Sequence, residues 1–171
     1  GLAVGLTAGF FGGKADAILM RVTDVFLAFP ALLLAVALAA VLTASAFNAA
    51  VAIAATWWPW YARLARAQAA SIRHQGYSDA ARVIGASRTR QVVRHVLPNA
   101  ATPVFVQMSL DGAGIILTAA TLSYLGLGAQ DPTPEWGLMV SQGQSLATTA
   151  WWVVTFPGLA ILLTAAAFNF I

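Results

Sequence analysis

The chain has 171 residues, of which 60% are hydrophobic and only 9% are charged. Soluble domains carry about 25% charged residues, so this composition, with a mean hydropathy of +0.77, indicates a membrane protein and excludes a soluble α/β enzyme. A nucleic-acid-binding domain is also excluded, because the net charge of +3 is small and the basic residues are concentrated in one segment.

Long uncharged stretches predict helices that span the membrane. Lys, Arg, Asp and Glu are absent from residues 25–62, 95–110, 112–130 and 136–171. Because a helical span requires about 20 apolar residues, we predict an all-α membrane protein, a polytopic helical bundle with about five spans. Residues 1–171 are interpreted as a single transmembrane domain. Since the chain begins and ends inside apolar runs, we expect it to be part of a longer polypeptide.

The first half of the chain contains three predicted spans. The Gly-rich residues 1–11 form the end of one span. A long helix follows from about Asp16 to Ala44, and Pro30 is expected to kink it without breaking it, because neighbouring helices can satisfy the freed carbonyl. A turn at residues 45–48 leads into the next span, which covers residues 49–61 and continues into a basic segment.

The second half contains two further predicted spans. Pro98 is expected to open a span that reaches about Leu125. A polar loop rich in turn-forming residues covers residues 126–135, and the last span covers roughly residues 149–171.

The distribution of basic residues predicts the orientation of these spans. Of nine Lys and Arg residues, seven lie between residues 63 and 97, together with a single acid, Asp79. The positive-inside rule therefore makes residues 63–97 cytoplasmic. Alternation of the spans then places Lys14 inside and the loop with Asp131 and Glu135 outside.

Within the basic segment, residues 77–85 have the pattern of a short amphipathic helix. Ser78 can cap its start, Asp79 lies at the positive end of the helix dipole, and Gly85 can end it. Ser87 can cap a second short helix that continues until Pro98. The apolar face of the first helix consists of Tyr77, Ala80, Ala81 and Ile84. A short helix held between the ends of two spans suits docking to another protein.

At these residues the chain resembles a known family. The run Asp79-Ala80-Ala81, then Gly85, then Leu97-Pro98, resembles the EAA motif of permease subunits of bacterial ATP-binding-cassette importers, with Asp79 where the family usually has Glu. Residues 94–99 and 122–137 are similar to the dipeptide, oligopeptide and nickel branch, in particular to its C-type permease subunit. The resemblance extends over nearly the whole chain.

The resemblance implies a six-span subunit, of which this chain lacks the first span and the C-terminal tail. Its implied function is transport of di- or oligopeptides across the bacterial plasma membrane, with nickel or another small solute as the alternative. The implied partners are a second permease, two ATP-binding subunits, an extracytoplasmic binding protein and membrane lipids.

Two sets of residues carry these expectations. The residues expected to couple to the ATPase are Tyr77, Ser78, Asp79, Ala80, Ala81, Arg82, Ile84 and Gly85. The external loop is expected to lie near the mouth of the pathway and to meet the binding protein through Gln130, Asp131, Pro132, Glu135 and Trp136.

Enzyme motifs are absent from the sequence. The run Gly12-Gly13-Lys14-Ala15 lacks both the leading Gly and the Ser or Thr of a phosphate-binding loop, so ATP hydrolysis is expected on partner subunits. No cofactor and no metal site are expected, since the chain has no Cys and neither His74 nor His95 has a second ligand at metal-binding spacing.

Three alternatives remain open from the sequence. Asp111, near the middle of a predicted span, either lines the pathway or pairs with a partner, because a buried charge in a membrane is costly. Arg21 and Asp24, three residues apart on one helix, form either a structural pair or part of the gate. A reading from a different class is a membrane structural or interaction protein whose basic segment binds anionic lipid.

Overall fold

A computed structural model describes residues 1–73, 75–76 and 83–170 of the chain. Within these residues the regular structure is entirely helical, with no strand. The predicted all-α class is therefore confirmed.

The helices follow one another along the chain with short connections. The first half contains α1 (Leu2–Phe11), α2 (Gly13–Leu27), α3 (Ala31–Val41) and α4 (Ala46–Arg73). The second half contains α5 (Arg88–Gln91), a π-helical segment (Val92–Val96), α6 (Leu97–Tyr124), α7 (Trp136–Gly143), a 3-10 turn (Gln144–Leu146) and α8 (Trp152–Phe168).

The expected kink at Pro30 is wrong: the helix breaks there. Helix α2 ends at Leu27, and Pro30 has φ −57° and ψ 125°, an extended conformation in which it caps the start of α3. Proline disfavours the helical conformation of the residue before it, here Phe29, and has no N–H to continue the ladder. The carbonyl of Pro30 instead accepts the first bond of the new helix, from Leu34 N at 3.0 Å.

Pro98 is the second residue of α6, so this α-helix begins where the sequence predicted the start of a span. It is continuous with the helix before it: the whole runs from Arg88 to Tyr124, with five residues in π-helical form at Val92–Val96. Such π segments change the hydrogen-bonding pattern within a continuous helix.

Helix α7 was not predicted. It occupies residues 136–143, between the polar loop and the last span, and α8 begins at Trp152, a few residues after the predicted start at Thr149. The sequence of α7 is short and contains two glycines, so helical periodicity is weak there.

Length and apolar composition identify the helices best suited to cross a membrane. The continuous helix Arg88–Tyr124 meets this test alone, and Gly13–Leu27 with Ala31–Val41 meet it together, as a pair bent at the break. Leu2–Phe11 and Trp152–Phe168 are shorter apolar helices.

The chain forms two compact units. The first comprises residues 1–29 and 57–107, and the second comprises residues 30–56 together with residues 108 onwards. Helices α4 and α6 each contribute one end to each unit.

In the first unit, α1 packs closely against α4 through three glycines at four-residue spacing. A Cβ atom at Gly1, Gly5 or Gly9 would lie only 2.2–2.5 Å from a backbone carbonyl oxygen of α4. The facing residues of α4 include Ala62, Ala65 and Ala69, all fully buried. Small residues on both helices therefore allow their backbones to touch, as in small-residue helix pairs of membrane proteins.

In the second unit, glycines again mark the closest helix contacts. A Cβ atom at Gly112 of α6 would lie 2.2 Å from the ring of Phe168 in α8. One at Gly137 of α7 would lie 2.1 Å from the carbonyl oxygen of Ala120 in α6. Both glycines are buried, so α6 supports α7 and α8 through direct contact.

Candidate functional site

An apolar cluster holds the two ends of the basic segment together. Ile72 and Ala69, near the end of α4, contact the same cluster as Val96 and Ala100, where the chain enters α6; Leu6 and Phe10 of α1 complete it. These side chains are at most 6% exposed. Residues 74–91, between Arg73 and the π segment, are therefore flanked at both ends by one packed base, the arrangement expected for a helix held out between two spans.

The second short helix of the segment starts as predicted. Ser87 caps α5 by accepting a hydrogen bond from Arg90 N at 3.3 Å through its side chain. The buried side chain of Gln91 donates from Nε2 to the carbonyl oxygen of Ala86 at 2.8 Å. These two bonds fix the turn that leads from Gly85 into the helix.

Most of the expected coupling residues lie outside the described residues: Tyr77, Ser78, Asp79, Ala80, Ala81 and Arg82, as does His74. Ile84 and its neighbour Val83 are described, and they are 83% and 87% exposed. Gly85 has φ +81°, the left-handed conformation expected of a glycine just beyond a helix end. The structure thus places two large apolar side chains in solvent, beside the glycine that was predicted to end the helix.

Two ion pairs join α2 to α4 at the start of the basic segment. Arg66 forms a bidentate pair with Asp16, in which Nη2 donates to Oδ2 at 2.6 Å and Nε donates to Oδ1. Arg63 donates from Nη2 to Asp24 Oδ1 at 2.7 Å. Asp24 therefore pairs with Arg63 of α4 and not with Arg21, the pairing that was one of the two alternatives left open by the sequence. Neither ion pair could be predicted from the sequence, since the pairs join residues 39 and 50 positions apart.

The polar loop on the predicted external side begins with a defined helix stop. Helix α6 ends in a Schellman motif around Gly126, which has φ +76°: Leu127 N donates to the carbonyl oxygen of Leu122 at 2.8 Å, and Gly126 N to that of Ser123 at 3.0 Å. Ser123 Oγ accepts from Ala129 N at 3.2 Å, and a Cβ atom at Gly128 would clash with that hydroxyl. The Gly and Ser residues of this motif therefore set the shape of the loop.

Hydrogen bonds within the loop and to α7 keep it compact. The side chain of Gln130 donates to the carbonyl oxygens of Gly126, Gly128 and Ala129 at 3.1–3.3 Å. Gln142 Nε2 of α7 donates to both carboxylate oxygens of Asp131, at 2.9 and 2.8 Å. Residues 130–134 are nevertheless exposed, so the loop presents a fixed surface.

Glu135 and Trp136 connect this loop to α7. Glu135 caps the helix, because its Oε2 accepts from Leu138 N at 2.9 Å, and Trp136 is 41% exposed. The structure brings together the five predicted loop residues, Gln130, Asp131, Pro132, Glu135 and Trp136, on one continuous segment that leads into α7. It assigns structural roles to Gln130 and Glu135 that the sequence did not indicate.

Asp111 lies in the middle of α6, as predicted. Its side chain is partly buried, and the next residue, Gly112, is in contact with Phe168 of α8. Asp111 also takes part in an interaction with another group. The carboxylate therefore lies on a half-buried face of α6.

These features define a helical membrane protein with a basic segment in its first unit and a compact polar loop in its second. The whole chain, residues 1–171, matches the family of binding-protein-dependent transport system inner membrane components. The chain therefore belongs to that family, and the family resemblance noted in the sequence is confirmed.

Among curated proteins the chain is similar to several peptide permeases. It is 50% identical over 169 residues to the probable D,D-dipeptide transport system permease protein DdpC of Escherichia coli K12, covering 99% of this chain and 57% of that protein. It is 50% identical over 152 residues to the dipeptide permease DppC of the same strain, covering 89% and 51%. The di/tripeptide permease DppC of Pseudomonas aeruginosa UCBPP-PA14 is 44% identical over 169 residues, covering 99% and 56%. The chain thus spans a little over half the length of these relatives.

Proposed function

We propose that this chain is the pathway-forming part of a permease subunit in an ATP-driven importer of di- or oligopeptides. The observation that carries the proposal is the match of all 171 residues to an inner-membrane transport family. The substrate class follows the relatives, whose names specify dipeptides, D,D-dipeptides and di- and tripeptides. Nickel, the alternative solute, has no comparable support among these relatives.

In the proposed mechanism the permease does no chemistry. A second permease completes the pathway, an extracytoplasmic binding protein delivers the peptide to the external loop, and two ATP-binding subunits act on the cytoplasmic segment. Closure of those subunits on ATP changes the relative stability of the inward-open and outward-open states of the permease. This requires that the ATP-binding subunits contact the permease differently in the two states. The segment around residues 77–85 supplies the contact.

Exposed apolar side chains support docking at this segment. Val83 and Ile84 are almost fully exposed, although they lie in the basic segment. A loop that contacted only solvent would be expected to carry polar residues at these positions. The ends of the segment are fixed by the apolar cluster around Ile72 and Val96. A rigid base allows a force applied at the segment to reach the spanning helices.

The test uses the full-length permease assembled with its partners in proteoliposomes. Ala81→Trp and Gly85→Trp are expected to leave membrane insertion intact and to abolish peptide-dependent ATP hydrolysis and uptake. Gly85→Ala is the matched control, because any side chain at φ +81° strains the backbone but alanine adds no bulk. Ala81→Ser is the control for the other position.

Wild-type ATP hydrolysis and uptake in both Trp variants would contradict docking at this segment. A wild-type complex whose ATP hydrolysis is stimulated by another solute, but by no di- or oligopeptide, would instead contradict the proposed substrate. The two parts of the proposal therefore fail separately.

A further inference from the structure

A cavity in the first unit lies between the end of α1, the end of α4 and helix α5. Its volume is about 290 Å³, and its lining residues are Phe10, Phe11, Arg73, Arg88 and Gln91. The cavity thus combines two guanidinium groups with two aromatic rings. Neither guanidinium group has a role in the proposed transport mechanism.

Among the described residues that line the cavity, all the charges are of one sign. Within the described part of the chain, Arg63 and Arg66 form ion pairs with Asp24 and Asp16, whereas the residues lining this cavity include no carboxylate. Arg73 is partly buried and Arg88 is exposed. Because guanidinium groups present several donors in a planar fork, such a pair is well suited to bind the oxygens of a phosphate group.

The position of Arg73 is fixed by the backbone. Its Nη1 lies so close to Gly12 that a Cβ atom there would be 3.0 Å away, and Gly12 has φ +66° at the end of α1. The carbonyl groups at a helix C-terminus favour a nearby cation. The guanidinium therefore lies beside the end of α1, where it lines the cavity.

The apolar wall indicates where the phosphate comes from. Phe10 and Phe11 pack edge to face, with ring centroids 5.4 Å apart; Phe10 is buried and Phe11 is 44% exposed. Both lie at the last turn of the apolar helix α1. A free phosphate ion makes no favourable apolar contact with an exposed aromatic ring. A phospholipid does, because its acyl chains lie beside its head group.

We propose that the cavity between Phe10, Phe11, Arg73, Arg88 and Gln91 binds the phosphate head group of an anionic phospholipid, with Phe11 in contact with the acyl region. The proposal goes beyond the transport function and does not depend on which solute is carried. Its position at the base of the basic segment links lipid binding to the packed cluster that anchors that segment.

Native mass spectrometry of the purified full-length permease, titrated with phosphatidylglycerol, tests the proposal. Arg73→Gln/Arg88→Gln is expected to weaken phosphatidylglycerol binding about tenfold or more, since each basic residue near an anionic surface contributes about 1 kcal/mol. Arg90→Gln is the matched control: this exposed arginine lies on the same short helix but does not line the cavity, so wild-type affinity is expected. Phosphatidylcholine should bind weakly to all three proteins.

Two further arms separate the lipid from a free anion. Phe11→Ala should weaken phosphatidylglycerol binding, and inorganic phosphate at millimolar concentration should not displace the lipid. Displacement by phosphate, equal loss in Arg90→Gln, or wild-type lipid affinity in the double variant would each overturn the proposal. If the double variant is not monodisperse, Arg88→Gln alone carries the test, because that side chain is exposed and its loss should not affect folding.

Discussion

At the scale of single residues, glycine decides where helices touch. The spacing of Gly1, Gly5 and Gly9 places all three on one face of α1, and each is so close to α4 that a methyl group would overlap backbone atoms. Gly158 of α8, by contrast, has no neighbouring heavy atom within 4 Å of its Cβ position. The same residue type therefore has opposite consequences at different positions.

We predict that Gly5→Ala destabilises the permease while Gly158→Ala does not. At Gly5 the new methyl group would lie 2.2 Å from the carbonyl oxygen of Ala62, and such overpacking costs about 1–3 kcal/mol. At Gly158 the substitution only improves helix propensity, by about 1 kcal/mol. Thermal unfolding of the detergent-solubilised full-length protein measures both changes. Equal melting temperatures for Gly5→Ala and the wild type would contradict the close α1–α4 contact.

Asp111 is the residue whose role depends most on the assembled complex. If it lines the pathway, Asp111→Asn should preserve assembly and change uptake, because it removes the charge and keeps the shape. If it serves packing within the second unit, Asp111→Asn should be mild and Asp111→Leu should reduce assembly or stability. Assembly and uptake measured side by side distinguish the two roles. Wild-type values of both quantities in both variants would exclude both.

At the scale of elements, prolines in similar sequence surroundings behave differently. Pro30 ends one helix and starts another, whereas Pro103 and Pro157 lie inside continuous helices. At Pro98 a π-helical segment precedes the proline. Since a helix that contains proline needs other groups to compensate for the lost hydrogen bond, the outcome depends on neighbours that local sequence does not specify.

The two ion pairs between α2 and α4 are expected to differ in strength. Arg66 and Asp16 form a bidentate pair with side chains 42% and 22% exposed, while those of Arg63 and Asp24 are 50% and 52% exposed. A double-mutant cycle with Arg66→Gln and Asp16→Asn should give a coupling energy near 1 kcal/mol, and the cycle with Arg63→Gln and Asp24→Asn about 0.5 kcal/mol or less. A larger coupling for the second pair would contradict the bidentate geometry.

At the scale of the whole molecule, the predicted orientation is open to direct labelling. The chain has no Cys, so single cysteines report on one site. Thr133→Cys, in the exposed loop, should react with an impermeant maleimide added outside the cell and should crosslink to the binding protein. Thr133 is preferable to Gln130, whose side chain holds the loop together.

Thr89→Cys is the matched site on the opposite side of the membrane. Thr89 is exposed on the basic segment, so it should react only after the inner membrane is made permeable. Labelling of Thr133→Cys from the cytoplasmic side alone, or of Thr89→Cys from outside, would contradict the proposed topology.

The sequence by itself determined the class of protein and the position of most helices. Long uncharged stretches of about 20 residues favour helices in a bilayer, because a helix satisfies its backbone polar groups within the segment. The cap at Ser87 and the position of Asp111 within α6 could also be predicted from the sequence, since both depend on residues close in sequence. The family resemblance was carried by motifs, and the match of all 171 residues confirms it.

Only the tertiary structure decided which distant residues meet. The pairing of Asp24 with Arg63, the contact of Gly5 with Ala62 and the convergence of Arg73 and Arg88 on one cavity all join residues from different helices. Such contacts depend on how the helices pack, and a helical pattern specifies which face is apolar but not which neighbour it meets. The same limit explains why the break at Pro30 was not predicted: the proline can be accommodated in a helix only where packing compensates for its missing hydrogen bond.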